Sequence, residues 1–304
     1  MPELPEVHTT VEGIRSTAVG KKITDVWTDL YSKDKRFADS IKNPSFFKDL
    51  KKRSLGAKIV KSERRAKNIL IHLSNNETIL VHMKMTGHMM YGKYDYNKKT
   101  NSWSPHKNSS DSLRDPYNRF VHFVISLNNG SHLVLCDSRK FAKVTIEKTD
   151  KIFTSKHLKD LGPEPLEKNF TQKDFKERIS KKPSWPIKKA LLDQTLVVGI
   201  GNIYSDEMLF LSGIRPDRFV RNIKDSEYKA MFIAMKKVLK KGIDFGGDSM
   251  SDYRNIYGER GAFQHRHNAY RRTGEKCTKK GCSGTIIRKV IAGRSSHYCD
   301  KHQK

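Results

Sequence analysis

Val7, Val11 and Ile14 recur at i, i+4 and i+7, the spacing of one apolar face on a short helix that closes near Gly20. The period then changes. Runs rich in β-branched and aromatic residues follow at Ile23–Trp27, Lys58–Val60, Asn68–Leu73, Thr78–His82, Phe120–Leu127, His132–Cys136 and Lys143–Ile146, and each has strand character. Two of the gaps read as hairpin turns, Ser74-Asn75-Asn76-Glu77 and Asn128-Asn129-Gly130. This pattern predicts a β-sandwich with one N-terminal helix over residues 1–150. Lys93 to Asp115 is polar and turn-rich and reads as a surface insertion. A linker over 151–166 ends in Leu161-Gly162-Pro163-Glu164-Pro165-Leu166. Beyond it the pattern turns helical. In Ser226–Lys241 the residues Met231, Ala234, Met235 and Val238 form one stripe, read as core packing, and Gly242 is expected to end the helix. The fold class is α+β and multidomain, with no internal repeat.

Composition narrows the partner. Lys and Arg number 60 against 33 Asp and Glu, a formal net charge of +27 over 304 residues. Such an excess points to a polyanion, and to nucleic acid rather than a membrane surface. No apolar run approaches the roughly 18 residues of a spanning helix and no signal peptide is visible, so an intracellular, non-secreted protein is expected. Four cysteines, three near the C-terminus, suit a metal site in a reducing compartment better than a disulfide frame.

The start of the chain, Met1-Pro2-Glu3-Leu4-Pro5-Glu6-Val7, carries candidate chemistry. Removal of Met1 would leave Pro2 with a free secondary amine. An α-amino group titrates near 8 and a lysine near 10.4, so the former has far more neutral, nucleophilic amine at neutral pH. Attack of that amine on a sugar C1′ would give an iminium ion, an electron sink that cannot be quenched by loss of an N–H. Glu3 beside it is a natural proton carrier. The plainer reading is a helix start, where prolines and acids are favoured anyway.

The tail reads Cys277-x4-Cys282-x16-Cys299-x2-His302, two ligand pairs bridged by a hairpin, as in a zinc ribbon. Four N/S ligands leave no open position, so one structural zinc ion is expected, and it should hold so short a module folded. His297 competes for the fourth place but stands two residues before Cys299. The hairpin tip Ala292-Gly293-Arg294-Ser295-Ser296 would present Arg294 outward. Leu192–Tyr204 places Gly199 and Gly201 in a turn between apolar helices, where free N–H groups can meet a phosphate and Asn202 can cap the next helix. Within that helix Glu207 is either a buried carboxylate or a surface acid. Lys67 follows Arg64-Arg65-Ala66 into a strand, placed to meet phosphate or donate protons, or merely solvated. Asp137-Ser138-Arg139-Lys140-Phe141 suits a loop that enters a base stack, unless Phe141 packs inward. Cys136 reads as a packing residue.

Taken together these motifs resemble the formamidopyrimidine-DNA glycosylase/endonuclease VIII family. The matching pieces are PELPEV at 2–7, RRAKNILIHL at 64–73, HMKMTG at 82–87, DSRKF at 137–141, LGPEPL at 161–166, LDQTLVVGIGNIYSDEMLF at 192–210, GIRPD at 213–217 and the C-terminal finger. The resemblance implies a helix-two-turn-helix domain over 167–270 and a zinc finger over 271–304. It implies a monomer that holds DNA in a basic cleft between a sandwich and a helical domain. Its partner would be double-stranded DNA with damaged bases or abasic sites, with single-stranded DNA as a further candidate. Such an enzyme flips the damaged base, cuts its glycosidic bond and then cuts the strand by β- and δ-elimination. By position, Pro2 matches the Schiff-base nucleophile, Glu3 the proton donor, Lys67 the proton donor of β-elimination and Arg294 that of δ-elimination. Lys188, Gly201 and Asn202 match phosphate contacts, and Met85, Arg139 and Phe141 match the residues that fill the void left by the flipped base. Glu6 matches a carboxylate near the nucleophile.

There are departures. The first knuckle is two residues longer than Cys-x2-Cys, His302 replaces the last cysteine, His8 replaces a glutamate, and Lys140 replaces a second arginine. The segment 93–115 has no counterpart in the pattern. The PELPEV start and the Met85/Arg139/Phe141 set point to the formamidopyrimidine branch, as does the loop between Gly246-Gly247 and Tyr270, which in that branch covers an everted oxidised purine. Formamidopyrimidines, 8-oxoguanine, hydantoins and oxidised pyrimidines all stay open as substrates. The alternative reading is a catalytically silent, DNA-damage-binding zinc-finger protein.

Overall fold

The structure, a computed structural model, describes residues 1–304. It divides into two compact units, Met1–Lys159 with Gly246–Ala262, and Asp160–Phe245 with Phe263–Lys304.

The first unit opens with helix α1, Leu4–Thr17. Glu3 is its N-cap, and a reciprocal capping box joins Glu3 and Glu6, while Pro5 needs no donor in the first turn. The strands are β1 (Ile23–Thr28), β2 (Ile59–Arg65), β3 (Asn68–Leu73), β4 (Glu77–His82), β5 (His88–Gly92), β6 (Tyr94–Asn97), β7 (Ser102–Pro105), β8 (Val121–Leu127), β9 (His132–Cys136) and β10 (Lys143–Lys148), with helix α2 (Pro44–Ser54) between β1 and β2. Two four-stranded antiparallel sheets form, in the orders β1-β8-β9-β5 and β10-β4-β3-β2. Their facing positions, among them Ile69, Ile71, Ile79, Val81, Phe123, Ile125, Leu133 and Leu135, close one core with Val7, Val11 and Ile14 of α1. Both expected turns are present, with Asn76 and Gly130 in the left-handed region at φ 61° and 74°.

The segment 93–115 is more than a polar surface loop. It forms the β6–β7 hairpin and a turn of 3-10 helix at Asp111–Arg114. Tyr94, Leu113 and Trp103 from it cover Met90, Val124, Val134 and Cys136 on the outer face of the first sheet. That cover explains why β8 and β9 are apolar on both faces, and why they read as continuous rather than alternating runs.

The second unit carries α3 (Gln172–Ser180), α4 (Ile187–Leu192), α5 (Asn202–Ser212), α6 (Asp225–Asp244) and the hairpin β11 (Ile286–Ile291)–β12 (Arg294–Cys299). Met231, Ala234, Met235 and Val238 are buried, as the stripe predicts. Gly242 does not end the helix. It lies on the packed face and α6 runs on through it, and Gly246 at φ 69° takes the left-handed position beyond the end. No helix of the structure is long and apolar enough to cross a membrane.

Candidate active site and DNA interface

The N-terminus is organised around one carboxylate. Glu6 Oε2 accepts the backbone N–H of Glu3 at 2.7 Å, and Glu6 Oε1 accepts the backbone N–H of Asp248 at 2.7 Å. The Glu3 side chain in turn caps the N–H of Glu6. Pro2, Glu3 and Glu6 are all buried. Charged groups are rarely buried without partners, so backbone donors at a helix start are what make this pair of acids tolerable. Gly247, at φ 86°, is required here, because a Cβ would come within 2.9 Å of the Glu6 carboxylate.

Lys67 sits at the tip of the β2–β3 hairpin, where Arg65 pairs with Asn68 and Ala66 turns at φ 56°. It is a buried lysine, 6% exposed, not a solvated one. α1 packs on β2 and β3, and Ser62 of β2 donates to the Val11 carbonyl at 3.0 Å. Sequence reasoning missed His82. Burial, then the charges of Lys84 and Lys67, lower its pKa to about 3. Geometry agrees, since the N–H of Lys84 donates to His82 Nδ1 at 3.0 Å, which requires an unprotonated nitrogen.

Met85, Arg139 and Phe141 stand on two loops tied together by Asp137, a buried carboxylate also missed from the sequence. Asp137 accepts from the Thr86 hydroxyl, from the Arg139 N–H at 3.3 Å and from the Ala142 N–H at 2.6 Å. Phe141 is 49% exposed, so it does not pack inward, and the Arg139 guanidinium lies 4.5 Å from its ring centroid. Met85 is exposed as well. Three adaptable or flat side chains held at the surface by a buried anchor can enter a base stack.

In the second unit the Gln194 side chain stitches the turns between α4 and α5. It donates to the carbonyls of Leu192 and Ile200 at 3.0 and 2.9 Å and accepts from the N–H of Gly199 at 2.9 Å. Gly201, not Asn202, is the N-cap of α5. Asn202 is the first helical residue, so the expected cap moves back by one. Lys188, which the resemblance matches to a phosphate contact, lies in the interior. It has no exposed surface, is ion-paired with Asp206 and donates to the Ser295 carbonyl at 3.1 Å. A lone tail charge would not survive there, and the partner carboxylate on the next helix is what permits it. Arg294 is exposed beside the two-residue turn Ala292-Gly293, whose φ values are 49° and 75°. Glu207 is the buried alternative. Its oxygens accept the N–H groups of Asn268, Ala269 and Tyr270 at 2.8–2.9 Å.

The metal donors converge. Cys277, Cys282, Cys299 and His302 each offer an atom within 4.8 Å of the others. Cys277 Sγ lies 3.2 Å from His302 Nδ1 and Cys282 Sγ lies 3.6 Å from Cys299 Sγ. Bond lengths of about 2.3 Å to sulfur and 2.0 Å to nitrogen put the edges of a tetrahedron near these separations. His302 Nε2 is 3.0 Å from the Phe210 carbonyl, which fixes the tautomer and turns the Nδ1 lone pair toward the sulfurs. His297 does not compete, because its Nδ1 is held 3.0 Å from Asp206 Oδ2. The residues present therefore fit a tetrahedral metal ion. Cys136 is fully buried in β9 and serves packing, with burial pushing its thiol pKa up.

A β-sandwich with a buried acid pair at its first helix, a helix-two-turn-helix unit and a cysteine-rich hairpin together make up the architecture of a DNA glycosylase. The profile of the formamidopyrimidine-DNA glycosylase N-terminal domain matches residues 1–144, and that of the formamidopyrimidine-DNA glycosylase H2TH domain matches residues 161–254. The formamidopyrimidine-DNA glycosylase of Herpetosiphon aurantiacus is 36% identical over 299 residues, covering 98% of each chain. That of a Ruegeria species is 34% identical, covering 100% of each. The structure of a Lactococcus lactis FPG mutant with Fapy-dG-containing DNA superposes with a TM-score of 0.83 at 28% identity, over 100% of both chains. The complex of L. lactis Fpg with DNA containing an abasic site gives 0.82 at 28% identity over 99% of each. The chain belongs to the formamidopyrimidine-DNA glycosylase family. Family membership makes it a DNA glycosylase of base-excision repair that acts on oxidised bases and has AP-lyase activity.

Proposed function

We propose that the chain removes oxidised bases through the amine of Pro2, after Met1 is trimmed, and then cleaves the strand by β,δ-elimination. The observation that carries this reading is the Pro2-Glu3 start. There a prolyl nitrogen directly precedes a buried carboxylate fixed by its own helix cap. Pro2 nitrogen attacks C1′ of the everted nucleotide, the C1′–N bond to the base breaks, and the amine sheds its N–H proton to the departing base, which restores the lone pair on the prolyl nitrogen. Glu3 delivers the proton that opens the ring or follows the departing base. The nitrogen lone pair then forms the iminium, which acidifies the C2′ proton. Loss of that proton expels the 3′-phosphate in β-elimination, with Lys67 moving the proton. Arg294 serves the second elimination, which expels the 5′-phosphate. Met85, Arg139 and Phe141 occupy the gap in the stack while the base is out.

Gly201 and Asn202, at the start of α5, bind a backbone phosphate with the helix's unsatisfied N–H groups. Lys188 contributes by support. Through Ser295 it steadies the strand that begins at Arg294. Cys277, Cys282, Cys299 and His302 hold one zinc ion, which when bound supplies structural cross-linking with no open position for chemistry.

Duplexes carrying a single formamidopyrimidine, 8-oxoguanine, hydantoin or oxidised pyrimidine, each opposite every base and as single strands, test the substrate range. Excision of formamidopyrimidines and oxidised purines from duplex is expected. Glu3→Gln should abolish that excision while nicking of a preformed abasic site continues, and full excision by Glu3→Gln would remove Glu3 from its role.

A further inference from the structure

Gly246–Ala262 leaves the helical region and packs as a strap within the first unit. At one end it holds the catalytic helix. Asp248 N–H reaches Glu6 Oε1 at 2.7 Å, and the Tyr253 hydroxyl donates to the Glu6 carbonyl at 3.1 Å. Ile256 is buried in the sandwich core, so close to α1 that a Cβ on Gly13 would come within 2.4 Å of it.

At the other end the strap is held by the segment 111–119. Arg254, 1% exposed, donates to Asp115 from Nε at 3.0 Å and from Nη2 at 3.0 and 3.1 Å. Its Nη1 donates to the carbonyls of Ser251 and Tyr253, both at 2.8 Å, and its guanidinium lies 4.8 Å from the Tyr117 ring centroid. Asn118 donates to the carbonyls of Ser112 and Gly258 at 2.8 and 3.3 Å. The Ser112 hydroxyl donates to the Tyr257 carbonyl at 2.7 Å. Gly258 turns at φ 82° beneath Ser112, whose carbonyl a Cβ would approach to 2.7 Å.

We infer that Asp115 and Arg254 are positioning residues for base excision: the 111–119 segment clamps the strap, and the strap holds the Glu6 carboxylate that fixes Glu3. Tyr253, which touches α1, and Arg254, which is clamped, are one peptide apart, so a slack clamp moves the Glu6 anchor directly. The inference rests on the reading of Glu3 as the excision acid. A supporting shell of this kind sets catalytic geometry, and a displacement of about 1 Å can cost on the order of a hundredfold in rate.

The test uses the full chain carrying Asp115→Asn or Arg254→Met. Two single-turnover rates are measured, base excision from a damaged duplex and strand cleavage at a preformed abasic site. Both are normalised to the fraction of molecules that borohydride can trap on abasic DNA. A selective loss of excision, tenfold or more on the scale above, with cleavage preserved is the expected result. Equal losses in both rates, or a fall in trappable protein with both normalised rates intact, would mean a purely structural pair and overturn the inference. Glu3→Gln runs alongside. If it fails to separate the two steps, the reading of Glu3 falls, and the clamp is then judged by amide exchange. In the DNA-free wild type the N–H groups of Glu3 and Asp248 should be protected, and they should exchange faster in Asp115→Asn. Fast exchange of both in the wild type overturns the clamp even if no variant folds.

Discussion

Replacing Lys188 with methionine keeps the length of the side chain and removes its charge. Lys188 and Asp206 both have no exposed surface, so the change strands a carboxylate in the interior of the second unit. Breaking such a pair from one side costs about 3–5 kcal/mol. Part is recovered because the His297 N–H and Nδ1 both lie 3.0 Å from Asp206 Oδ2, so the carboxylate keeps hydrogen-bond partners when the lysine is gone. The lower end, about 3 kcal/mol, is therefore expected, a fall in Tm of about 6–12 °C at 2–4 °C per kcal/mol. Calorimetry measures it. Lys188→Met with Asp206→Leu should regain most of the loss, because the stranded charge leaves with its partner. The slope of log affinity for abasic duplex against log salt should stay unchanged, whereas loss of a phosphate contact would reduce it by about one unit. An unchanged Tm together with a slope reduced by about one would refute the reasoning and return Lys188 to the phosphate backbone.

Phe141→Ala should leave stability within about 0.5 kcal/mol, since the ring is half exposed, while slowing excision from duplex far more than from single strands; equal slowing on both would deny the wedge. Purified protein should carry one zinc per chain by elemental analysis. A strong chelator should open residues 271–304 to protease and the cysteines to alkylation, and resistance in metal-free protein would contradict the structural role. His82 titrates below the usual histidine value of 6.5 in the folded chain, near 3, so its contribution is complete above pH 6.5 and is lost as pH falls toward 3. Unfolding measured between pH 7 and 4 should therefore weaken more steeply with acid in the wild type than in His82→Leu. Parallel slopes would show that His82 protonates freely.

Local pattern made much of the fold legible. The i, i+4, i+7 spacing of α1 and the stripe on α6 encode burial of one face, the continuous strand runs encode burial of both, and packing obeyed each. The spacing of Cys277, Cys282, Cys299 and His302 was enough to place four donors together. What stayed hidden depends on contacts remote in sequence. The β6–β7 hairpin looked like a polar loop because Tyr94 and Trp103, two of its three aromatics, matter only once the outer face of β8 and β9 is known. Helix α2 packs Phe46, Phe47, Leu50 and Ser54 on the core, a face of only two turns set among lysines and easily passed over in the sequence. The resemblance matches Lys188 to a phosphate contact, and nothing local announces that Asp206 will face it. His82, Asp137 and Arg254 escaped for the same reason, since their roles are set by partners on other elements.

The central claim is that a covalent bond forms between Pro2 and deoxyribose. Borohydride reduction during turnover on an abasic duplex, followed by proteolysis and mass spectrometry, locates the bond. The account predicts the sugar remnant on the N-terminal peptide, attached at Pro2, and none on protein whose N-terminus is extended. Efficient strand cleavage with the remnant on a lysine, Lys67 above all, would contradict it.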